Sequence, residues 1–234
     1  MEGYYTEKLA AERLKKCYDL APPRVQRYLE AEVDFVLKKI NPKDLVLDLG
    51  CGYGRIVPQL ARKAGLVIGI DTSYSSLILG KKRLKDVSNC LFIKMNAACL
   101  AFKERSFDVV TCIQNGISAF QVNQQDLIRE SVRAAKPGGI VLFSTYSEKF
   151  WQERLSWFEL QAEAGLLGEI DYTKTGEGII VCKDGFRATT VSPGQFFELT
   201  SGLNVQTRII EVDESSLFCV MKIPNKKNKK RKIG

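Results

Sequence analysis

The chain has 234 residues, 45% apolar and 26% charged, which gives room for one sizeable core and too little length for two independent ones. Its formal charge of +8 is local: residues 225–234 (NKKNKKRKIG) hold six basic side chains and no acid, and subtracting them leaves +2 for the other 224 residues. Histidine is absent, which excludes Ser-His-Asp triads, Cys-His dyads, a histidine base and imidazole metal sites. The seven cysteines are scattered singly with no C-x-x-C spacing, so they read as reduced, mostly core thiols of a cytoplasmic protein, and no metal site is expected. The start, MEGYYTEKLAAERLKK, alternates charged and apolar residues unlike a signal peptide, and no apolar run approaches a membrane span.

From Tyr4 to Ile40 the spacing predicts two helices. Leu9, Ala10, Leu14 and Cys17 or Tyr18 form one stripe; Pro22–Pro23 restart the chain into a second, Val25, Tyr28, Leu29, Val33, Val36 and Leu37. After Asn41–Pro42 come short apolar runs: LVLDL (45–49), LVIGI (66–70), CLFIKM (90–95), FDVVTCI (107–113) and IVLFSTY (140–146), with helix candidates near 55–64, 74–86 and 124–135. Runs without polar alternation suit strands covered on both faces, and their alternation with helices predicts a doubly wound α/β sheet. Beyond Tyr146 the rhythm breaks. A helix over 148–164, a hairpin across Lys183–Asp184–Gly185, a helix opened by Ser192–Pro193, and strands near 205–212 and 216–223 are expected.

This divides the chain into an N-terminal helical cover (1–40), a ligand-binding core (41–146), an inserted helix and hairpin (147–191), a last helix and strand pair returning to the core (192–224), and a disordered basic tail (225–234).

The first run leads straight into Asp48–Leu49–Gly50–Cys51–Gly52–Tyr53–Gly54–Arg55. Glycines there let the backbone turn tightly and approach a ligand, and the following helix offers free N–H groups. The spacing is G-x-G-x-G, with an acid two residues ahead, and differs from the G-x-G-x-x-G dinucleotide fingerprint. The second run ends at Asp71, whose carboxylate can accept from a ribose diol or, with Thr72 and Ser73, cap the next helix. Asn96, after the third run, suits an adenine edge or a turn.

VLDLGCGYGR (46–55), VIGID (67–71), Asn96–Ala97, SFDVVTC (106–112) and the KPGG turn (136–139) together resemble the class I S-adenosylmethionine-dependent methyltransferases. The resemblance covers about residues 40–145 and the final strand pair. It implies a Rossmann-like, mostly parallel sheet of seven strands in the order 3-2-1-4-5-7-6, with strand seven antiparallel. It also implies S-adenosylmethionine as cofactor: Gly50, Cys51 and Gly52 at its methionine part, Asp71 at the ribose, Asn96 and Ala97 at the adenine, with Asp48, Tyr53, Gly54, Thr72 and Gln114 around them. Where many members carry Asp at the third strand, this chain has Asn96.

Transfer of an activated methyl group asks the protein mainly to align a nucleophile and exclude water, which suits a chain without histidine. Ile113–Gln114–Asn115–Gly116–Ile117 does not resemble the motif of nucleobase amino-methyltransferases, no proline precedes a cysteine, and Gln114 and Asn115 are neutral where metal-dependent catechol enzymes carry acids. The leading expectation is methyl transfer to O or N of a small molecule. Tyr4, Tyr5, Asn115, Tyr146, Trp151 and Tyr172 are its candidate acceptor residues, and the insert a lid; no catalytic base is singled out. The bland reading of the insert's aromatics is packing on the sheet. The alternatives are an RNA or protein methyltransferase tethered by the basic tail, with nucleic acid not the favoured partner, and a non-catalytic cofactor-binding protein.

Overall fold

The protein, described over residues 4–225 of a computed structural model, is organised around one sheet. The lysine-rich tail beyond Asn225 lies outside the described residues. The apolar runs form β1 (Leu45–Leu49), β2 (Leu66–Asp71), β3 (Cys90–Lys94), β4 (Phe107–Cys112) and β5 (Ala135–Tyr146), all parallel. β6 (Ile180–Val181) and β7 (Arg187–Ala188) are the predicted hairpin of the insert. β8 (Gln206–Val212) and β9 (Ser216–Lys222) complete the main sheet in the order β3-β2-β1-β4-β5-β9-β8, with β9 antiparallel to both neighbours, as the resemblance implies. The KPGG turn is absorbed into β5 as an irregularity, where pairing steps from Phe107 opposite Ala135 to Val109 opposite Ile140.

Alternate side chains of the strands feed two cores, as expected of a sheet buried on both faces. On one face Val46, Val67, Val109 and Phe218 pack with Val36 of α3 (Pro23–Leu37), Leu60 of α4 (Val57–Ala61) and Leu77 of α5 (Tyr74–Arg83). On the other, Leu47, Val110 and Phe143 pack with Leu127 and Ile128 of α7 (Gln124–Ala134) and Phe196 of α9 (Pro193–Thr200). Ser192 opens α9 with the expected cap, extended by Gln195 into a capping box.

The N-terminal segment forms three helices instead of two: α1 (Tyr4–Glu7), α2 (Ala11–Asp19) and α3. The extra break falls at Ala11, which takes a left-handed φ of 50° and donates its N–H to Ser76 Oγ at 2.9 Å. A tertiary hydrogen bond to α5 has displaced a helical one, which periodicity cannot foresee. A further turn of helix, α6 (Gly116–Ala119), follows β4 and was not expected. The insert's long helix is α8 (Trp151–Glu163), entered through a 3₁₀ turn at Glu148–Phe150. With α1–α3 and the hairpin, α8 builds a third core from Leu9, Cys17, Tyr28, Trp157, Phe158 and Phe186. This core sits at the carboxyl ends of the strands. No helix of the described residues is long and apolar enough to cross a membrane.

Glu32 joins the cover to the sheet. It occupies the apolar stripe of α3, fully buried, and accepts from the Gln114 backbone N–H at 2.9 Å and from Ser216 Oγ at 2.7 Å. Burial outweighs these bonds and pushes its carboxyl up to about 7. Between pH 4.5 and 7 the unfolded chain therefore releases this proton while the folded protein keeps it, so stability falls as pH rises through that window. Asp48, also raised to about 7 by burial, acts in the same sense. Glu32→Gln is expected to remove about 3 kcal/mol of that fall in urea unfolding followed from pH 4.5 to 8. An unchanged slope would show that the carboxyl does not hold its proton in the folded state.

Candidate functional site

Two chain turns at the carboxyl edge of the sheet shape the site. After β1, Gly50, Gly52 and Gly54 all take left-handed φ angles of 71°, 54° and 74°. Asp71, at the end of β2, holds this turn: its Oδ2 accepts from the Gly52 N–H at 2.9 Å, while its Oδ1 accepts from the Ser73 N–H at 2.7 Å. Asp71 therefore starts the α5 turn, and it also lines the cleft. Ser73 is the N-cap proper, accepting from the Ser76 N–H. After β4, Gln114 and Asn115 are left-handed too, with φ of 56° and 60°. The Gln114 N–H is shared between Glu32 Oε2 and Ser144 Oγ, the latter at 2.8 Å.

Between these turns opens a cavity of about 620 Å³, within the range of roughly 300–1,000 Å³ usual for small-ligand pockets. One half is the crevice of the strand ends, lined by Gly50, Gly52, Asp71, Thr72, Asn96, Ala97 and Gln114. Asn96 Oδ1 accepts from the Ala98 N–H at 2.9 Å, so it also serves the turn that the sequence allowed. Ring and aliphatic atoms of Phe120 and Val122 close this half from the α6 side. Asp48, Cys51 and Tyr53 instead line a small adjoining pocket of about 50 Å³, shared with Gly50, Gly52 and Gln114, and Gly54 lies behind the turn against Phe92.

The other half is a chamber walled by aromatics. Tyr5, Tyr18, Tyr28, Tyr146, Trp157 and Phe158 contribute to it, with Cys17 and Gln161 between them. Burial raises the phenols of Tyr5, Tyr18, Tyr28 and Tyr146, so all four stay protonated at neutral pH. Tyr18 donates to Gln114 Oε1 at 3.0 Å, joining the two halves, and Trp157 Nε1 donates to the Cys17 carbonyl at 2.9 Å, tying α8 to α2 across the roof. The charged side chains on the cavity wall, among the described residues, are Asp71 and Lys94, both at the strand ends.

Of the acceptor candidates from sequence, Tyr5 and Tyr146 reach the wall and four do not. Asn115 is buried away from it, donating to the Thr189 carbonyl and accepting from Thr145 Oγ1, so it ties β4 to β5 and the insert. Tyr4 donates to Asp184 Oδ2 of the hairpin turn and acts as a latch for α1. Trp151 packs beside Arg154, and Tyr172 is 64% exposed, bonded to Glu159. Tyr18 and Tyr28 were read only as helix stripe. Trp157 and Phe158 are at once core and cavity wall.

A Cβ added at Gly50 would collide with the Phe120 ring and would require a strained φ. Gly50→Ala is expected to cost about 2 kcal/mol in chemical unfolding. Gly165→Ala, left-handed but with open space around it, is expected to cost less. Equal losses would mean that Phe120 swings away freely.

Comparison with known proteins fits this geometry. Residues 46–139 match the family model described as a methyltransferase domain. A ubiquinone biosynthesis O-methyltransferase of Pseudomonas fluorescens is 32% identical over 133 residues, covering 56% of this chain and 53% of that protein. A malonyl-[acyl-carrier protein] O-methyltransferase of a Marinomonas species is 29% identical over 157 residues, covering 63% of this chain and 57% of that one. The chain thus spans about half the length of the curated relatives it matches. The PH0226 protein of Pyrococcus horikoshii shares the fold, with a TM-score of 0.65 at 23% identity over 88% of this chain and 93% of that one. Residues 46–139 thus match a methyltransferase domain, set in a fold shared with the PH0226 protein.

Proposed function

We propose that this protein transfers a methyl group from S-adenosylmethionine to an O or N atom of a small molecule held in the aromatic chamber. The observation that carries this reading is the single cavity joining the glycine turn and Asp71 to an enclosed aromatic space. A continuous cavity lets a cofactor on the strand ends meet an acceptor under α2 and α8, and its roof favours a small molecule over a polymer. The two curated relatives are named as O-methyltransferases, which supports oxygen as the acceptor atom.

The residues present suit the cofactor. Asp71 retains lone pairs for ribose hydroxyls beyond its two backbone bonds, and Ala97 with Phe120 and Val122 offers an apolar slot for a base. At the other end, Gln114 Nε2 and Asp48 Oδ2 are buried with no hydrogen-bond partner. A spare donor and a spare acceptor are what the carboxylate and ammonium of an amino acid need. When bound, the cofactor supplies a methyl group already activated on a sulfonium.

The protein's own contribution is alignment and exclusion of water. Asp71 fixes the Gly52 amide, Glu32 and Ser144 fix the Gln114 amide, and the Tyr18 bond to Gln114 sets the passage between the halves. α1 is held closed by Tyr4 and Lys8 on Asp184 and by the Thr6 hydroxyl, 3.1 Å from that of Thr72.

Titration calorimetry with S-adenosylhomocysteine tests the cofactor half. Wild type is expected to bind, and Asp71→Ala to bind at least about tenfold more weakly, the loss of one charge-assisted hydrogen bond. Methyl-labelled cofactor with a metabolite extract is expected to label low-mass species with wild type only. Binding without any labelled product would favour a non-catalytic role.

A further inference from the structure

Arg154 is the feature of the fold that the reading above leaves without a use. It lies on the apolar stripe of α8, 1% exposed, with its guanidinium 4.4 Å from the ring centroid of Tyr146 and 5.7 Å from that of Phe158. Nη1 donates to the Gly178 carbonyl at 2.8 Å; Nε and Nη2 have no partner, and no carboxylate pairs with it among the described residues. A buried cation without a counter-ion is costly, and natural sequences keep one where something else supplies the negative charge. Its neighbours are the phenols of Tyr5, Tyr28 and Tyr146, all on the chamber wall. The Tyr28 hydroxyl is buried beside the Tyr146 phenol and makes no hydrogen bond of full geometry.

We propose, building on the methyltransferase reading, that the acceptor is an organic acid bound as its anion, with Tyr28 and Tyr146 as hydrogen-bond donors and Arg154 as the countercharge behind the Tyr146 ring. The wall agrees with it. The chamber half carries no carboxylate, histidine or amine able to take a proton, and its phenols are held protonated by burial. A second guanidinium, Arg55, lies 4.7 Å from the Tyr18 ring centroid, where the neighbouring acids Asp48 and Glu32 offset its charge, so Arg154 is the cation that biases the chamber toward negative charge. An acid ionised in solution needs no base. One of its oxygens forms the bond to the methyl carbon as the carbon–sulfur bond breaks, and the electron pair stays on sulfur. The acid becomes a neutral methyl ester, the sulfonium a neutral thioether, and no proton is released. Arg154 touches neither reactant in this arrangement and is a positioning residue, acting through Tyr146.

The test uses the full chain saturated with S-adenosylhomocysteine and titrated with three isosteric pairs: phenylacetate and phenylacetamide, 3-phenylpropionate and its amide, hexanoate and its amide. Acids are expected to bind at least about tenfold more tightly than their amides. Arg154→Met is expected to bring that ratio close to one with homocysteine-nucleoside affinity unchanged, and Arg154→Lys to restore part of it, which a packing role alone would not do. If Arg154→Met fails to fold, the wild-type ratio decides. Wild type that binds S-adenosylhomocysteine but takes acid and amide alike, or takes no acid at millimolar concentration, overturns the proposal; wild type that does not bind S-adenosylhomocysteine overturns the methyltransferase reading instead.

Discussion

The Gln114 amide, held by a buried carboxyl group from another part of the chain, is the point on which the site depends. A parallel strand that ends in a left-handed residue must place its N–H somewhere, and a non-glycine residue resists that conformation. Glu32 and Ser144 both accept this hydrogen. Glu32 also accepts from Ser216, so one side chain of α3 ties β4 and β9 and, with Ser144, β5 at their adjoining ends. On the other side of the crevice Asp71 does the same for the turn after β1. The two acids come from opposite ends of the design, one inside the core motif and one from the cover, yet each turns a strained backbone into a fixed wall.

Placing the cover on α3 has a second effect. Because α3 is anchored in the core against the sheet, the helices ahead of it cannot drift from the carboxyl edge, and α2 reaches over the crevice to meet α8. The third core that results is aromatic because it must do two jobs. It has to bury enough surface to hold the cover and insert together, and it has to leave a space of ligand size between them. Tyr18, Trp157 and Phe158 serve both: Trp157 packs edge-on against Phe158 and tilted against Tyr18, and all three line the cavity.

The sheet was legible in the sequence because strand runs, glycine turn and Asp71 are local signals that need no knowledge of the rest of the chain. Its order and the antiparallel last strand followed from the family likeness. The chamber was not legible, since its wall is assembled from α1, α2, α3, β5 and α8, and each contributes one or two aromatics whose spacing matches an ordinary core stripe. Adjacent Tyr4 and Tyr5 illustrate the limit: the sequence marks both as unusual, and only the fold separates the cavity residue from the latch. Two signals were nevertheless present. Glu32 falls within the stripe Tyr28, Leu29, Val33 and Val36, and Arg154 within Trp151, Leu155 and Phe158. A charge on an apolar helical face must be bonded or paired when buried, so each of these positions pointed to a polar partner outside its helix.

The missing histidine takes on a structural meaning at this point. A methyl donor that arrives activated leaves only one acid–base problem, the proton on the acceptor, and the chamber proposed to hold that acceptor is walled by groups that cannot take it. Four tyrosines desolvated to the protonated side, a glutamine amide, a thiol whose pKa burial raises to about 12 and two guanidiniums behind the rings are all donors or inert at neutral pH. Such a wall discriminates by charge state before it discriminates by shape. In the proposed reaction it would stabilise a nucleophile that has already lost its proton and offer nothing to one that has not.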